Sequence, residues 1–386
     1  MLHTANEEDI LSGKVTDVYF LRTKQILEKK GIDKRVKVEF IVKSFPDDYK
    51  WGVLAGIEES LTVLKNLPVT VQSMPEGTIF LTHQPVLTIE GKYLEFGIYE
   101  TSLLGLLCQA SGVATKAARC RIAARDRTVI SFGARRMHPA ISPMIERNAY
   151  IGGCDGVAAV KSAELLGVEP VGTIPHALIL ILGDTVESIK SFHEIIDKKV
   201  KRVALIDTFT DEKFESLRAA ECLGKELYAV RLDTPGSRRG DFLQILKEVR
   251  WELDLRGYNH VKLFISGGID EYKIEKYVEY ADALGVGTSI SNAPVLDFAM
   301  DIVEIDGKPL AKRGKLSGSK DVYRCPRCFK SGVVPSAGKV PRLCNCGSEP
   351  EKLLRVILKD GALTAEMADH HRIRSYVLRQ LPHFPI

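Results

Sequence analysis

Between residues 128 and 286 the chain repeats one arrangement: a short apolar run, a turn, then a stretch whose apolar residues recur at helical spacing. The runs are 128–132, 156–160, 170–174, 203–206, 227–230, 261–265 and 283–286. Runs this short and continuously apolar suit strands covered on both faces, and a helix-length connection is what parallel pairing needs. The middle of the chain is therefore constrained to an α/β fold on a parallel sheet. Seven such units close into a barrel more readily than they stay open, so an irregular parallel α/β barrel over 111–299 is expected.

The flanks differ. Strand patterns at 36–42, 69–72, 78–81 and 86–90, broken by Gly77 and Gly91, predict an α+β open sandwich over 1–110, completed by about 300–322. A proline-free stretch at 99–125 reads as one long helix. At 386 residues the chain exceeds a single ordinary core, and 45% hydrophobic residues exclude a disordered chain. A net charge of +4, from 54 basic and 50 acidic residues, excludes a general polyanion binder. No stretch approaches the roughly 18 to 20 apolar residues of a membrane span, and the start lacks a signal-peptide pattern, so a cytoplasmic protein without membrane partners is expected.

The unusual residues gather where the predicted strands end. Phe132 to Arg136, Thr173 with His176, Asp207-Thr208, Arg231-Leu232-Asp233, Ser266-Gly267-Gly268 and Gly285-Val286-Gly287-Thr288 all fall at carboxyl ends, the face that holds the active site of such folds. The two glycine turns would expose backbone N–H groups before a helix, which suits a phosphate. Asp207 and Asp233 would accept from a sugar diol or hold hydrated magnesium, and either would equally cap a helix. Arg231 faces the same side as Asp233. Arg135, followed by Arg136, Arg119, Arg121, Lys161, Arg238 and Arg239, would supply the cationic side of a pyrophosphate pocket. His176 at such a mouth is a candidate acid, base or phosphoryl acceptor.

Cys325-Pro326-Arg327-Cys328 and, after fifteen intervening residues, Cys344-Asn345-Cys346 form two close thiol pairs within 323–386. Four soft ligands so spaced select zinc or iron, and because all four are protein groups the metal would be structural, in a ribbon-like zinc-knuckle subdomain. Cys108, Cys120, Cys154 and Cys222 lie among apolar neighbours and read as reduced core residues. Basic residues around the knuckle, Arg324, Arg327, Lys330, Lys339 and Arg342, raise the alternative of a zinc-ribbon nucleic-acid-binding protein. That reading leaves the strand-end motifs unexplained.

The motifs in order, from Thr16-Asp17-Val18-Tyr19 and Leu87-Thr88-Ile89-Glu90-Gly91 through Ser131 to Arg136, Gly152 to Gly156, Gly172 to His176 and the later strand ends to Lys312 and Tyr323, resemble the nicotinate phosphoribosyltransferases, a type II phosphoribosyltransferase family. Ser131 stands where that family often has an acid, and Thr234-Pro235-Gly236 follows Asp233 in place of a simple Ser-Gly. The resemblance implies transfer of phosphoribose from phosphoribosyl pyrophosphate to nicotinate, giving nicotinate mononucleotide for NAD biosynthesis. It further implies Mg2+, ATP as a co-substrate in a ligase-type coupling, and a homodimer or higher oligomer with shared sites. By the same resemblance His176, Asp207, Asp233 and Arg231 form the catalytic set, with His176 phosphorylated by ATP. Phe132 and, from the second subunit, Tyr19 would sandwich the pyridine ring. Arg135 would address carboxylate or phosphate, Thr173 the substrate, and Ser266, Gly267, Gly268, Gly287 and Thr288 the 5-phosphate, with Lys312 and Lys315 reaching the phosphates. Related nicotinamide enzymes carry an acid where Ile174 stands, and quinolinate would want a denser basic pocket, so nicotinate is the expected base.

Overall fold

The computed structural model describes residues 2–238 and 240–386, and the chain forms two compact units, 1–115 with 294–386 and 116–293. The division falls within the helix Glu100–Ala124.

In the first unit a seven-stranded antiparallel sheet runs Lys308–Pro309, Phe298–Ile305, Arg35–Val42, Leu87–Lys92, Thr70–Ser73, Arg355–Lys359, Ala362–Leu363. Alternation sets its inner face: Val36, Val38, Phe40 and Val42 are all buried, against Leu54, Ile57, Leu87 and Leu103. Strands from the far end of the chain thus lie on both sides of those from the beginning. A three-stranded sheet, Ser331–Pro335, Lys320–Arg324, Glu351–Lys352, carries the cysteine cluster. The last helix, His370–Gln380, starts at Asp369, whose side chain accepts from Arg372 N. Its buried Gln380 accepts from Ile79 N at 3.0 Å and Arg324 Nη1 at 3.1 Å, and donates to Gly77 O at 2.8 Å. One side chain therefore pairs backbone groups that burial would otherwise leave unsatisfied.

The second unit is a six-stranded, wholly parallel sheet in the order Gly156–Val157, Thr128–Ser131, Ala283–Val286, Lys262–Ile265, Leu227–Leu232, Arg202–Leu205. It is a half-barrel and not the closed barrel expected: Gly156–Val157 and Arg202–Leu205 are its two edges. The run at 170–174 makes no strand. Val171 N bonds Val157 O at 2.8 Å, but prolines at 170 and 175 bracket the segment and offer no N–H to extend a ladder. Among the described residues no helix is long and apolar enough to cross a membrane.

Two arginines assigned from sequence to the cationic pocket are structural. Arg119, 2% exposed, bonds the fully buried Glu271 at 2.9 Å, and Lys116 Nζ reaches the other oxygen of Glu271 at 2.6 Å. Burial pushes the Glu271 carboxyl up, but the two cations outweigh it and hold it below its usual value. Arg121 bonds Asp155 at 2.8 Å and the carbonyls of Arg125 and Arg127. Glu271→Ala is expected to destabilise the protein by about 3–5 kcal/mol, because the buried Arg119 and the half-buried Lys116 lose a shared counter-ion. Urea unfolding with an unchanged midpoint would contradict this.

Candidate active site at the carboxyl ends of the parallel strands

Strand register brings the chemistry together. Arg231 lies opposite Leu205 on one side and Phe264 on the other, so residues just beyond these strands, Asp207, Asp233 and Ser266, emerge side by side. Arg231, nearly buried, donates from Nη1 to Ser266 Oγ at 2.9 Å and from Nη2 to Ile174 O at 3.4 Å, and stands 3.3 Å from Asp233 Oδ2. Ser266 Oγ donates in turn to Asp233 Oδ1 at 2.8 Å. Asp207 accepts Asp233 N at 2.7 Å on Oδ2 and meets His176 Nε2 at 3.1 Å on Oδ1. Burial raises the Asp207 carboxyl above its usual value, against the opposing pull of His176.

The two acids are not equivalent. The Asp207 side chain is 3% exposed and both its oxygens are engaged by protein groups, whereas Asp233 is 20% exposed. Asp233 is therefore the more open carboxylate of the two, and Asp207 is held between His176 and the Asp233 backbone. His176, 39% exposed, opens the helix His176–Leu182. With Nε2–H donated to Asp207, its Nδ1 carries the lone pair.

The glycine turns have conformational reasons. Gly267 and Gly268 have φ of +83° and +64°, a region that disfavours any Cβ. Gly285 has a different one: a Cβ there would lie 2.5 Å from Phe132 Cδ2. The missing side chain is what seats Phe132, whose ring centroid is 5.7 Å from that of Phe264 and whose N–H bonds Val286 O at 2.8 Å. Gly287 and Thr288 follow on the same strand end, starting the short helix Thr288–Ser291.

Other residues singled out in the sequence sit differently. Arg135 and Arg136 are exposed on a single 3-10 turn beyond the Thr128–Ser131 strand. Thr173 lies on the loop before His176–Leu182 and lines a cavity with Phe264. Lys161 pairs with Glu164 at 2.7 Å, Arg238 is exposed, and Arg239 lies outside the described residues. Tyr19, Lys312 and Lys315 belong to the other compact unit. There Tyr19 is 56% exposed on the helix Val18–Lys30, and both lysines pair with the buried Asp301, Lys312 at 3.2 Å.

Sequence reasoning passed over Thr234 and Glu212. Thr234 Oγ1 lies 3.2 Å from Asp207 Oδ2 and donates to Glu212 Oε1 at 2.6 Å, so it braces the acid that holds His176. The available signal was a buried-capable hydroxyl immediately after a strand-ending acid.

The four knuckle cysteines converge. Their sulfurs all lie within 4.8 Å of one another, with Cys325 to Cys346 at 3.2 Å and Cys344 to Cys346 at 3.1 Å. A tetrahedral zinc site with bonds of about 2.3 Å has sulfur–sulfur edges of about 3.8 Å, so the group fits such an ion. Cys328 N points at Cys325 Sγ at 3.5 Å, as a donor to a thiolate would.

Two family models match, the quinolinate phosphoribosyl transferase N-terminal domain over residues 17–111 and its C-terminal domain over 113–301. A nicotinate phosphoribosyltransferase of Mycobacterium tuberculosis is 31% identical over 301 residues, covering 74% of this chain and 63% of that relative's length. A second from the same organism is 26% identical, covering 96% of this chain and 91% of the relative. The crystal structure of nicotinate-nucleotide pyrophosphorylase from Pyrococcus furiosus superposes with a TM-score of 0.97 at 55% identity, covering 99% of this chain and 98% of that one. Human nicotinic acid phosphoribosyltransferase shares the fold, with a TM-score of 0.74 at 18% identity over 96% and 94% of the two chains. With these matches spanning both compact units, the chain belongs to the nicotinate phosphoribosyltransferase family of type II phosphoribosyltransferases.

Proposed function

We propose that the protein transfers the phosphoribosyl group of phosphoribosyl pyrophosphate to the ring nitrogen of nicotinate, forming nicotinate mononucleotide for NAD biosynthesis. The observation that carries this reading is the linked network of His176, Asp207, Asp233, Arg231 and Ser266 between two glycine turns. Asp233 receives the ribose diol, and the turns 266–268 and 285–288 receive the 5-phosphate through backbone N–H groups. Phe132 stacks on the pyridine ring, a contact worth about 0.5–1.5 kcal/mol beyond burial.

As pyrophosphate leaves, positive charge grows on the ribose ring. The protein's part is to hold acceptor and sugar in line and to keep negative charge near the ring, which Asp233 supplies. Arg231, fixed by Ser266 and Asp233, presents a cation toward carboxylate or phosphate. Mg2+, taken up with phosphoribosyl pyrophosphate, would neutralise the departing anion. His176 Nδ1 is the nitrogen open to a phosphoryl group from ATP, with Asp207 fixing the tautomer.

A homodimer fits the exposed apolar side chains of Val18, Tyr19 and Leu21 on one helix and of Leu180 and Ile181 on another. Zinc, held by Cys325, Cys328, Cys344 and Cys346, would act as a structural ion, because four thiolates leave no open position.

A second reading has its own support. The Pyrococcus furiosus structure is named a nicotinate-nucleotide pyrophosphorylase, and both family models are of quinolinate phosphoribosyl transferase domains. Quinolinate, with a second carboxylate, would need a denser cationic mouth than one nearly buried arginine, and among the described residues Arg135 and Arg136 stand exposed. The purified protein should be given phosphoribosyl pyrophosphate and magnesium with nicotinate, nicotinamide or quinolinate, each with and without ATP. Nicotinate mononucleotide from nicotinate, accelerated by ATP, is the expected result. Formation only from quinolinate, with release of carbon dioxide, would replace the first reading with the second.

A further inference from the structure

A cavity of about 540 Å³ forms a seam along the open sheet, lined by residues of five of its six strands. Its walls are mostly apolar, with Ile130, Val171, Val203 and Phe264 lining it beside Asp155, Glu169, Lys199 and Lys201. Thr128 and Ala283, the first residues of their strands, line it, so it extends to the amino ends of the sheet, and Gly172 and Thr173 of the loop before His176 line it as well. Its volume is within the roughly 300–1,000 Å³ of small-molecule sites.

The mouth of this cavity carries unbalanced charge. Lys201, which lines it, donates from Nζ to Tyr228 Oη at 3.2 Å and lies 4.3 Å from the ring centroid, and Lys262, outside the lining, has its Nζ 5.4 Å from the same centroid. Among the described residues neither ammonium has a carboxylate within ion-pair distance. The acids nearby are engaged elsewhere: Glu169 pairs with Lys199 at 3.9 Å, and Asp155 accepts from Arg121 at 2.8 Å and from Val129 N at 2.9 Å. Two like charges converging on one phenol repel each other, and an anion placed there gains from both. Burial alone would raise the Tyr228 phenol, yet the two lysines outweigh it and hold it below its ordinary value.

We infer that the seam is a second ligand pocket, taking a planar aromatic monoanion whose ring lies among Val171, Val203 and Phe264 and whose carboxylate meets Lys201 and Lys262.

The test is calorimetric titration of the full chain with 2-naphthoate, a planar aromatic carboxylate without a ring nitrogen and hence no acceptor for phosphoribose. Saturable binding at one site per chain is expected, weakening with added salt. The Lys201→Ala, Lys262→Ala double variant should weaken it by about tenfold or more, and Val203→Trp, which fills the cavity, should remove it. Asp233→Asn and Phe132→Ala should leave the affinity within about twofold. Absence of saturable binding up to about 5 mM, persistence in either seam variant, or loss in Asp233→Asn or Phe132→Ala would overturn the proposal. Both lysines are exposed, so the double variant remains informative if thermal melting shows that Val203→Trp does not fold. The ligand is not a substrate, so the result stands apart from the assay of phosphoribosyl transfer.

Discussion

Asp233→Asn is expected to lower kcat/KM for phosphoribosyl transfer by about 10²- to 10³-fold, close to 3–4 kcal/mol of transition-state stabilisation. Asparagine keeps the size of the side chain and a carbonyl oxygen for the Ser266 hydroxyl, so the network loses charge more than shape. Two consequences add. The developing positive charge on the ribose loses its nearest anion, and Arg231, 3.3 Å away and nearly buried, loses its counter-ion. The drop should fall on kcat as well as KM, since an interaction that strengthens as charge develops is worth most in the transition state. Initial rates over a range of phosphoribosyl pyrophosphate concentrations, with a melting curve close to that of the parent, make the measurement. A variant retaining full kcat/KM would remove Asp233 from the reaction. Asp207→Asn should differ in kind. Because Asp207 meets His176 and Asp233 N and is nearly closed to solvent, its effect should be largest on the stimulation by ATP proposed above.

Removal of the zinc proposed for the knuckle should have the largest effect on stability. Structural zinc contributes on the order of 10–16 kcal/mol to small zinc-finger peptides at neutral pH, much of it spent on folding the site itself. Here the cysteines sit on and beside the three-stranded sheet 320–352, and the adjoining chain is tied to distant parts of the same unit. The ring of Phe329, one residue past Cys328, stacks on His383 with centroids 4.4 Å apart, and Arg324, one residue before Cys325, bonds Gln380. Chelation, or Cys325→Ser, is therefore expected to lower the melting temperature by at least about 10 °C. Hydrogen exchange should rise first at 320–352 and in the C-terminal helix. An intact knuckle after exhaustive chelation, with an unchanged melting curve, would show that the thiols need no ion.

The repeating strand-helix pattern was legible because parallel strands buried on both faces leave continuous apolar runs. What the pattern did not carry was closure. Residues 170–174 are as apolar as a strand, and only the prolines at either side, with their missing N–H groups, turn the segment into a loop. The candidate acids and the glycine turns could be read because each ends a strand. Their partners could not, since the Arg231–Ser266 bond and the placement of Asp207 beside Asp233 depend on register between strands far apart in sequence. For the same reason Arg119 and Arg121 read as cations of a pyrophosphate pocket until Glu271 and Asp155 were placed beside them. In the first unit the strand Arg355–Lys359 had no precursor in the pattern, because its pairing partner, Thr70–Ser73, lies nearly three hundred residues earlier.

That distant pairing sets an order of events on the ribosome. Residues 1–115 emerge first, yet their sheet lacks both flanks until Phe298–Ile305 and then Arg355–Lys359 have been made. The half-barrel, 116–293, is contiguous and can condense as soon as its last strand, Ala283–Val286, is free. The segment synthesised before the half-barrel is thus completed after it, and until then it exposes unpaired strand edges that a nascent chain must keep from other chains.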